Sequence, residues 1–457
     1  MKRLAFSSLI VPKRWLLPFL AITLFVIQLG TSLSDLPFVK LMQDIICKRD
    51  YSIMTDELLP EADCHIESVQ QELNTISMGV LISTTVGSAL VSFPLGILAD
   101  RAGRLPVLAL SLLSMCLAQL YAMFICWQWR SVPLQAIWGL GGVLMVGGGR
   151  SVAEAMVFTI ISDTVSAGKR ATWFQIVTAS VLFGQLLAPI IAGKLVLLSV
   201  WTTLFVSLGL MFGGGAILIV FTPESLPART YNDSFNATAS DARQSILQTL
   251  KSLFSGPAAW LLPGAVLTIP LASIQSELLF RLMPFQFGWS LSRSALVISQ
   301  RSLVTLVTLV CLLPGVALLW RKFMSTRLHH ADSAMACGSA TLVMIGSMFL
   351  MIITEEAVLM TGLVMSALGS GLPTLCRAML VSCARRERTG SVFGVLAVGE
   401  LIGFLAFELS MGSLFGLGLR SWMGWPFCLG MCFALMIGCA TWLAPTSWTE
   451  DLEEQEL

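Results

Sequence analysis

The sequence predicts an all-α integral membrane protein of twelve transmembrane helices, arranged as two six-helix bundles. Three observations carry that expectation. Of 457 residues, 56% are hydrophobic and 12% charged, and mean hydropathy is +0.81, whereas soluble domains carry about 25% charged residues. Apolar runs long enough to cross a bilayer recur along the whole chain, a crossing of roughly 30 Å needing about 20 helical residues. The period-two alternation of barrel strands is absent, and an open sheet leaves unpaired backbone groups in lipid. The formal charge of +1 spreads over both signs, and no nucleic-acid partner is expected.

Lys2, Arg3, Lys13 and Arg14 precede the first apolar run at 15–29. That run is too long for a secretory signal, and no small-residue cleavage site follows it. It reads as the first span, 15–34. The others of the first half are 78–98, 106–126, 134–160, 174–196 and 201–221. The second half offers 258–279, 295–320, 334–353, 357–381, 391–411 and 426–443. With a cytosolic N-terminus, Arg101 and Arg104, Lys169 and Arg170, Arg321 and Lys322, and Arg385, Arg386 and Arg388 all fall inside. The positive-inside rule therefore puts both termini in the cytosol.

The expected organisation is a bundle at 1–222, a linker at 223–257, a second bundle at 258–445 and an acidic cytosolic tail at 446–457. Within the first bundle, 35–74 reads as a polar extracytosolic loop holding Cys47 and Cys64. In an oxidising compartment these two form a disulfide if their side chains meet, which sequence does not decide. The remaining cysteines lie on or beside apolar helices, without metal-ligand spacing, and read as small packing residues. The Ser-, Asn- and Asp-rich linker carries sequons at Asn232 and Asn236, unmodified if the linker is cytosolic. Ile246, Leu247, Leu250 and Phe254 mark one amphipathic face within it, suited to the inner membrane surface.

Between the second and third spans stands Gly96, Leu98, Ala99, Asp100, Arg101, Gly103, Arg104. Glycine allows a tight turn and close helices, while Asp100, Arg101 and Arg104 can form charge-assisted bonds to helix ends. This string resembles motif A of the major facilitator superfamily, and the resemblance implies a cytosolic latch that stabilises an outward-open state. Leu105 and Pro106 stand where the family usually has a further basic residue. On the fifth span, Gly184, Pro189 and Gly193 resemble motif C of the proton-linked exporters, with Ala188 and Ala192 replacing glycines. The other reading is a small-residue packing face with a proline bend. Pro223-Glu224-Ser225-Leu226, Phe287-Gly288-Trp289-Ser290 and Ile161-Ser162-Asp163 are similar to stretches of fungal members. The resemblance runs across nearly the whole chain and implies two bundles around a cavity that opens to one side at a time.

Charges inside the spans are few, and each costs about 2.5–3.5 kcal/mol on insertion scales. Glu400, mid-way along the eleventh span, is the first candidate for proton binding; a fixed helix-to-helix hydrogen bond is its other reading. Arg150 and Glu154, four apart, share a helix face as a compensating pair or a substrate contact. Arg301 suits an anionic substrate or snorkels to the interface. Arg377 reads as a latch or a snorkelling cation, and Glu277, Arg281 and Glu408 as interfacial residues. Gly147, Gly148 and Gly149 lack the Lys-Ser/Thr ending of a phosphate loop and read as a packing contact or hinge.

His65, His329 and His330 have no metal-site spacing, and no catalytic triad or nucleotide-hydrolysis motif is present. Neither an enzyme, a cofactor nor a metal is expected. The sequence points to secondary transport of a small-molecule substrate together with protons. Export of a secondary metabolite or toxic compound is preferred over uptake, and both over a non-transporting receptor. The plasma membrane is preferred over the vacuolar membrane, and the oligomeric state is not set by the sequence.

Overall fold

A computed structural model describes residues 11–52, 55, 57–165, 167–224, 257–324, 328–353, 355–383, 389–418 and 421–443. Asn232, Asn236, the amphipathic stretch 243–254 and the acidic tail 446–457 lie outside the described residues. Everything regular among the described residues is helical.

The first helices are α1 (Lys13–Leu33), α2 (Asp35–Asp50), α3 (Glu67–Ala102) and α4 (Arg104–Trp127). They are followed by α5 (Leu140–Leu144), α6 (Gly149–Thr164), α7 (Ala167–Leu198) and α8 (Val200–Phe221). Later come α9 (Leu262–Val266), α10 (Thr268–Phe287), α11 (Leu291–Val307) and α12 (Leu313–Met324). The last are α13 (Leu328–Met351), α14 (Glu356–Leu368), α15 (Leu372–Cys383), α16 (Thr389–Gly418) and α17 (Trp425–Leu443). Twelve stretches among the described residues are long and apolar enough to cross a membrane. Large side chains such as Phe205, Phe212, Leu318 and Leu197 stand exposed, as a hydrocarbon solvent permits. Trp127, Trp422, Trp425 and Trp442, exposed near helix ends, suit headgroup depth.

Two sequence expectations change. The stretch 35–74 is α-helical at both ends rather than loop throughout: α2 continues from α1 with only Ser34 between them, and α3 begins at Glu67. Its polarity misleads because the polar groups satisfy each other. Lys48 Nζ meets Asp44 Oδ2 at 2.6 Å, one turn apart, while Leu41, Ile45 and Ile46 are buried. The fourth span is also not continuous. A 3₁₀ turn over Leu134–Gly139 leads into α5, and the chain restarts as α6 after Gly148 (φ 74°) and Gly149 (φ 59°), left-handed values that glycine adopts without strain. Ser111 Oγ donates to the Gly147 carbonyl at 2.7 Å, and Gly149 N donates to Ser114 Oγ at 3.2 Å. Backbone groups freed by the break thus find partners on α4, as a water-free interior demands. A 3₁₀ turn over Gly369–Gly371 and a π turn over Thr308–Leu312 interrupt two further spans.

The chain divides into two compact units, one of Met1–Phe235 with Met283–Ser299, the other of Asn236–Leu282 with Gln300–Leu457. In the first, α1 packs against α7 and α8, α4 against α6 and α8, and α3 against α5. Its polar seam runs from Gln119 Nε2, which donates to Ser207 Oγ at 2.9 Å, to Ser207 Oγ, which donates to the Gly30 carbonyl at 2.6 Å. In the second, α13 packs against α14, α15 and α17, and α9 against α15, α16 and α17.

α3 crosses α5 closely. A Cβ on Gly141 would stand 2.2 Å from the Ser83 carbonyl oxygen, and one on Gly87 2.2 Å from the Gly141 oxygen. Gly142 next door faces open space. Gly141→Val is expected to lower stability by about 1–3 kcal/mol through overpacking, and Gly142→Ala to leave it nearly unchanged. Thermal unfolding of the purified variants checks both.

Candidate functional site

At the motif A turn, Gly103 (φ 110°) separates α3 from α4. The space a side chain would need there is filled by Glu224, whose Oε2 lies 2.6 Å from an ideal Cβ. Glu224 accepts from Arg104 N at 2.9 Å and Leu105 N at 3.1 Å. A carboxylate thus sits on the amides that open α4, where unpaired N–H groups and the helix dipole favour negative charge. The partner of the motif A turn is therefore the residue after Pro223, which closes the last span of the first unit. Gly96 borders open space. Asp100 and Arg101 belong to α3, and their side chains lie outside the described ones.

On α7, Gly184 meets α1 closely: a Cβ would be 3.0 Å from the Phe25 carbonyl oxygen and 3.1 Å from Leu29 N. Pro189 lies within the helix. The Cβ position of Gly193 is 3.7 Å from Ser292 Cβ, at the start of α11. That helix start is held twice. Glu61 Oε1 accepts from Leu291 N at 2.6 Å, and Ser290 Oγ accepts from Arg293 N at 3.2 Å. Glu61 opens the short 3₁₀ turn Glu61–Cys64, and Cys64 is disulfide-bonded to Cys47 on α2. The Cys64 carbonyl accepts from Gln43 Nε2 and Gln70 Nε2, at 3.4 and 3.2 Å. The whole turn is thereby tied to α2 and α3.

The charged residues sort differently from their sequence readings. Glu400 on α16 is ion-paired with Arg377 on α15. Arg377 also donates from Nε and Nη2 to the Ala265 carbonyl of α9, both at 3.1 Å. Its guanidinium is thus fixed between two helices rather than snorkelling. Arg150 Nε and Glu154 Oε1 pair at 2.6 Å with both side chains 49% exposed, one turn after the break in the fourth span. Arg301 is partly exposed on α11, with no hydrogen bond or ion pair among the described residues. Glu408 and Arg281 are buried within the protein, 2% and 3% exposed, and Arg281 is ion-paired with Glu277. Their helices extend beyond the predicted ends, to Phe287 and Gly418.

A groove of about 460 Å³ opens between α3 and the α5 region, lined by Gly79, Ser83, Val86, Gly87, Trp138 and Gly142 among others. Trp138 Nε1 is spent on the Ile76 carbonyl at 3.1 Å, which leaves a flat apolar indole wall. Among the described residues no group of three or more His, Cys, Asp or Glu is placed to hold a metal ion.

Sequence reasoning missed Glu61, Glu224 as a cap, the Arg377–Glu400 pair and the burial of Glu408. Glu224 stood in a stretch already singled out, and Glu400, Arg377 and Glu408 were singled out one by one; what sequence did not show is which distant segments each would meet.

Residues 19–407 match the family model described as Major Facilitator Superfamily. The chain is 23% identical over 448 residues to the "MFS efflux pump atnC" of Emericella nidulans, covering 94% of this chain and 86% of that protein. It is 24% identical over 393 residues to the "Efflux pump ustT" of Aspergillus flavus, covering 82% and 76%. The fold is similar to that of the human organic anion transporter TETRAN, with a TM-score of 0.60 at 14% identity over 94% of this chain and 100% of that one.

Beside the disulfide, burial of the His65 ring holds its pKa below the usual imidazole value, with Glu61 opposing, and Nε2 is buried without a partner among the described residues. The fold favours the neutral ring, so its contribution is complete above the unfolded imidazole pKa, near 6.5, and is lost as pH falls through the lower folded value. The protection factors of the amides across residues 57–66, corrected for the intrinsic pH dependence of exchange, should therefore fall on acidification, and His65→Gln should flatten that dependence.

Proposed function

The chain belongs to the Major Facilitator Superfamily, and on that premise we propose that this secondary transporter exports a small organic molecule, a secondary metabolite or toxic compound, in exchange for protons. The observation that carries export is the packing of the motif C glycines. Gly184 lies tightly against α1, as expected of a small residue kept for close helix approach, while Gly193 stands in ordinary contact opposite the start of α11. Relatives named as efflux pumps support the same direction. Membership also makes the protein a transporter and not an enzyme.

The groove beside Trp138 is the proposed substrate contact, and its apolar, one-sided lining suits a flat, mostly apolar molecule. The Arg150–Glu154 pair of the same unit supplies the polar contact in this reading, and Arg301, in the other unit, is a separate candidate contact for an anionic substrate. Glu400 is the proposed coupling residue: protonation neutralises it, releases Arg377 from the ion pair and loosens α16 from α15. Glu224 on the α4 amides, beside Gly103, is the proposed latch on the motif A side, with Asp100, Arg101 and Arg104 as its neighbours in sequence. Both termini are placed in the cytosol and the protein in the plasma membrane, which puts the Cys47–Cys64 turn outside.

The test is flux of a metabolite panel in inside-out vesicles with an imposed acid-inside gradient. Accumulation driven by the gradient is expected, reduced at least about ten-fold, or roughly 1.4 kcal/mol, in Glu400→Gln. Gly184→Val should abolish it. Gradient-driven movement in the opposite direction overturns export.

A second variant addresses the groove. Gly142 has no atom within 4 Å of its Cβ position, so Gly142→Phe fills the groove without touching a helix contact. Lost flux at an unchanged melting temperature is expected; unchanged flux removes the groove from the substrate path.

A further inference from the structure

Three ionisable side chains meet inside the second unit. Arg281 and Glu277 are ion-paired on one face of α10. Glu408 projects from α16, within reach of the charges of both. Glu408 is 2% exposed, and its Oε1 has no hydrogen-bond partner among the described residues. Close by in sequence on α10, Gln275 is likewise buried, with Nε2 unpartnered among the described residues. It lies against Gly430 of α17, a position that Met411, one turn beyond Glu408, also reaches.

The charges do not balance. Two carboxylates share one guanidinium, so the fully ionised trio carries a net charge of −1, with Glu408 buried and the Glu277 side chain 37% exposed. An uncompensated buried charge costs several kcal/mol. Among the described residues, the two elements packed most extensively against α16 add no cation: α9 has no titratable side chain, and α17 has only the thiols of Cys428, Cys432 and Cys439. Glu400, by contrast, has Arg377 as its own cation. The smallest species that neutralises the trio and occupies the unpartnered oxygen is a proton.

We propose that Glu408, set against the Glu277–Arg281 pair, is a proton-binding site of this transporter, separate from Glu400. The proton adds to Glu408 Oε1 from water on one side and returns to water on the other. No other bond is made or broken. Glu277 has Arg281 as its ion-pair partner, so the proton is assigned to Glu408, the carboxyl without an ion pair of its own among the described residues. The site deepens the proton-linked reading above and rests on it for its role in transport, though not for its existence.

The first measurement is pH-difference infrared spectroscopy of the full chain in lipid nanodiscs, without substrate. A protonated-carboxyl carbonyl band should form on acidification, disappear in Glu408→Gln, persist in Glu400→Gln and return at altered frequency in Glu408→Asp. Persistence of the full band in Glu408→Gln, or its absence from the unaltered protein, overturns the site. Glu277→Gln leaves Arg281 to Glu408 alone, so the band should weaken at neutral pH; an unchanged band overturns the shared-cation arrangement. If Glu408→Gln does not fold, the Glu408→Asp frequency change and the Glu277→Gln band decide alone. Ethidium movement in vesicles then gives the transport role: at least about a ten-fold loss of gradient-driven flux in Glu408→Gln, with gradient-free exchange retained. Because the infrared bands need no flux, failure of the export reading and failure of this site are separate results.

Discussion

Lipid tails offer no hydrogen bonds and no hydrophobic drive for one helix to leave them for another. Helices therefore associate only where their backbones come close or their polar groups find each other. The crossing of α3 on α5 illustrates the first device, since there is no room for a side chain at either Gly87 or Gly141. The seam from Gln119 through Ser207 to the Gly30 carbonyl illustrates the second, joining three helices by two hydrogen bonds. The rest of the first unit hangs on these contacts. They fix α5 well enough for the chain to break at Gly148 and for Arg150 and Glu154 to be presented on the restarted helix.

The same solvent makes each charge informative. Arg377 is held by a backbone carbonyl and a carboxylate, so its placement is set by two neighbouring helices. Glu224 and Glu61 use another route, lying on the first amides of α4 and α11. In both, a carboxylate carried by a distant segment caps a helix that has no acidic residue of its own in its first turn. A cap supplied from elsewhere contributes about 1 kcal/mol when made. That is strong enough to bias a conformation and weak enough to be exchanged.

How much of this was legible follows from what each signal measures. Hydropathy counts residues per crossing, so the twelve spans were visible and their ends were not. Glu408 was read near the end of a span, whereas α16 runs on to Gly418, several residues beyond the last strongly apolar stretch. The segment 35–50 was misread because a helix of mutually satisfied polar residues has the composition of a loop; the i,i+4 spacing of Asp44 and Lys48 was the available clue. The three consecutive glycines, read as a packing contact or hinge within a continuous span, mark instead the place where the fourth span breaks. The Arg377–Glu400 pair had no local signature, since residues on separate helices meet only through tertiary packing, and the 3₁₀ turn at Gly369–Gly371 resets the face that Arg377 presents.

The interruption at Gly148 also bears on how the sequence tolerates change. In an unbroken helix each inserted or deleted residue turns everything beyond it by about 100°, so a single register error in a long span misdirects its whole far end. In the fourth span that propagation stops at two glycines. The segment seated on α3 and the segment carrying Arg150 each keep their own phase, anchored separately by Trp138 and by Ser111 and Ser114. One crossing of the membrane is thereby two independently indexed pieces, free to diverge in sequence without each having to compensate for the other.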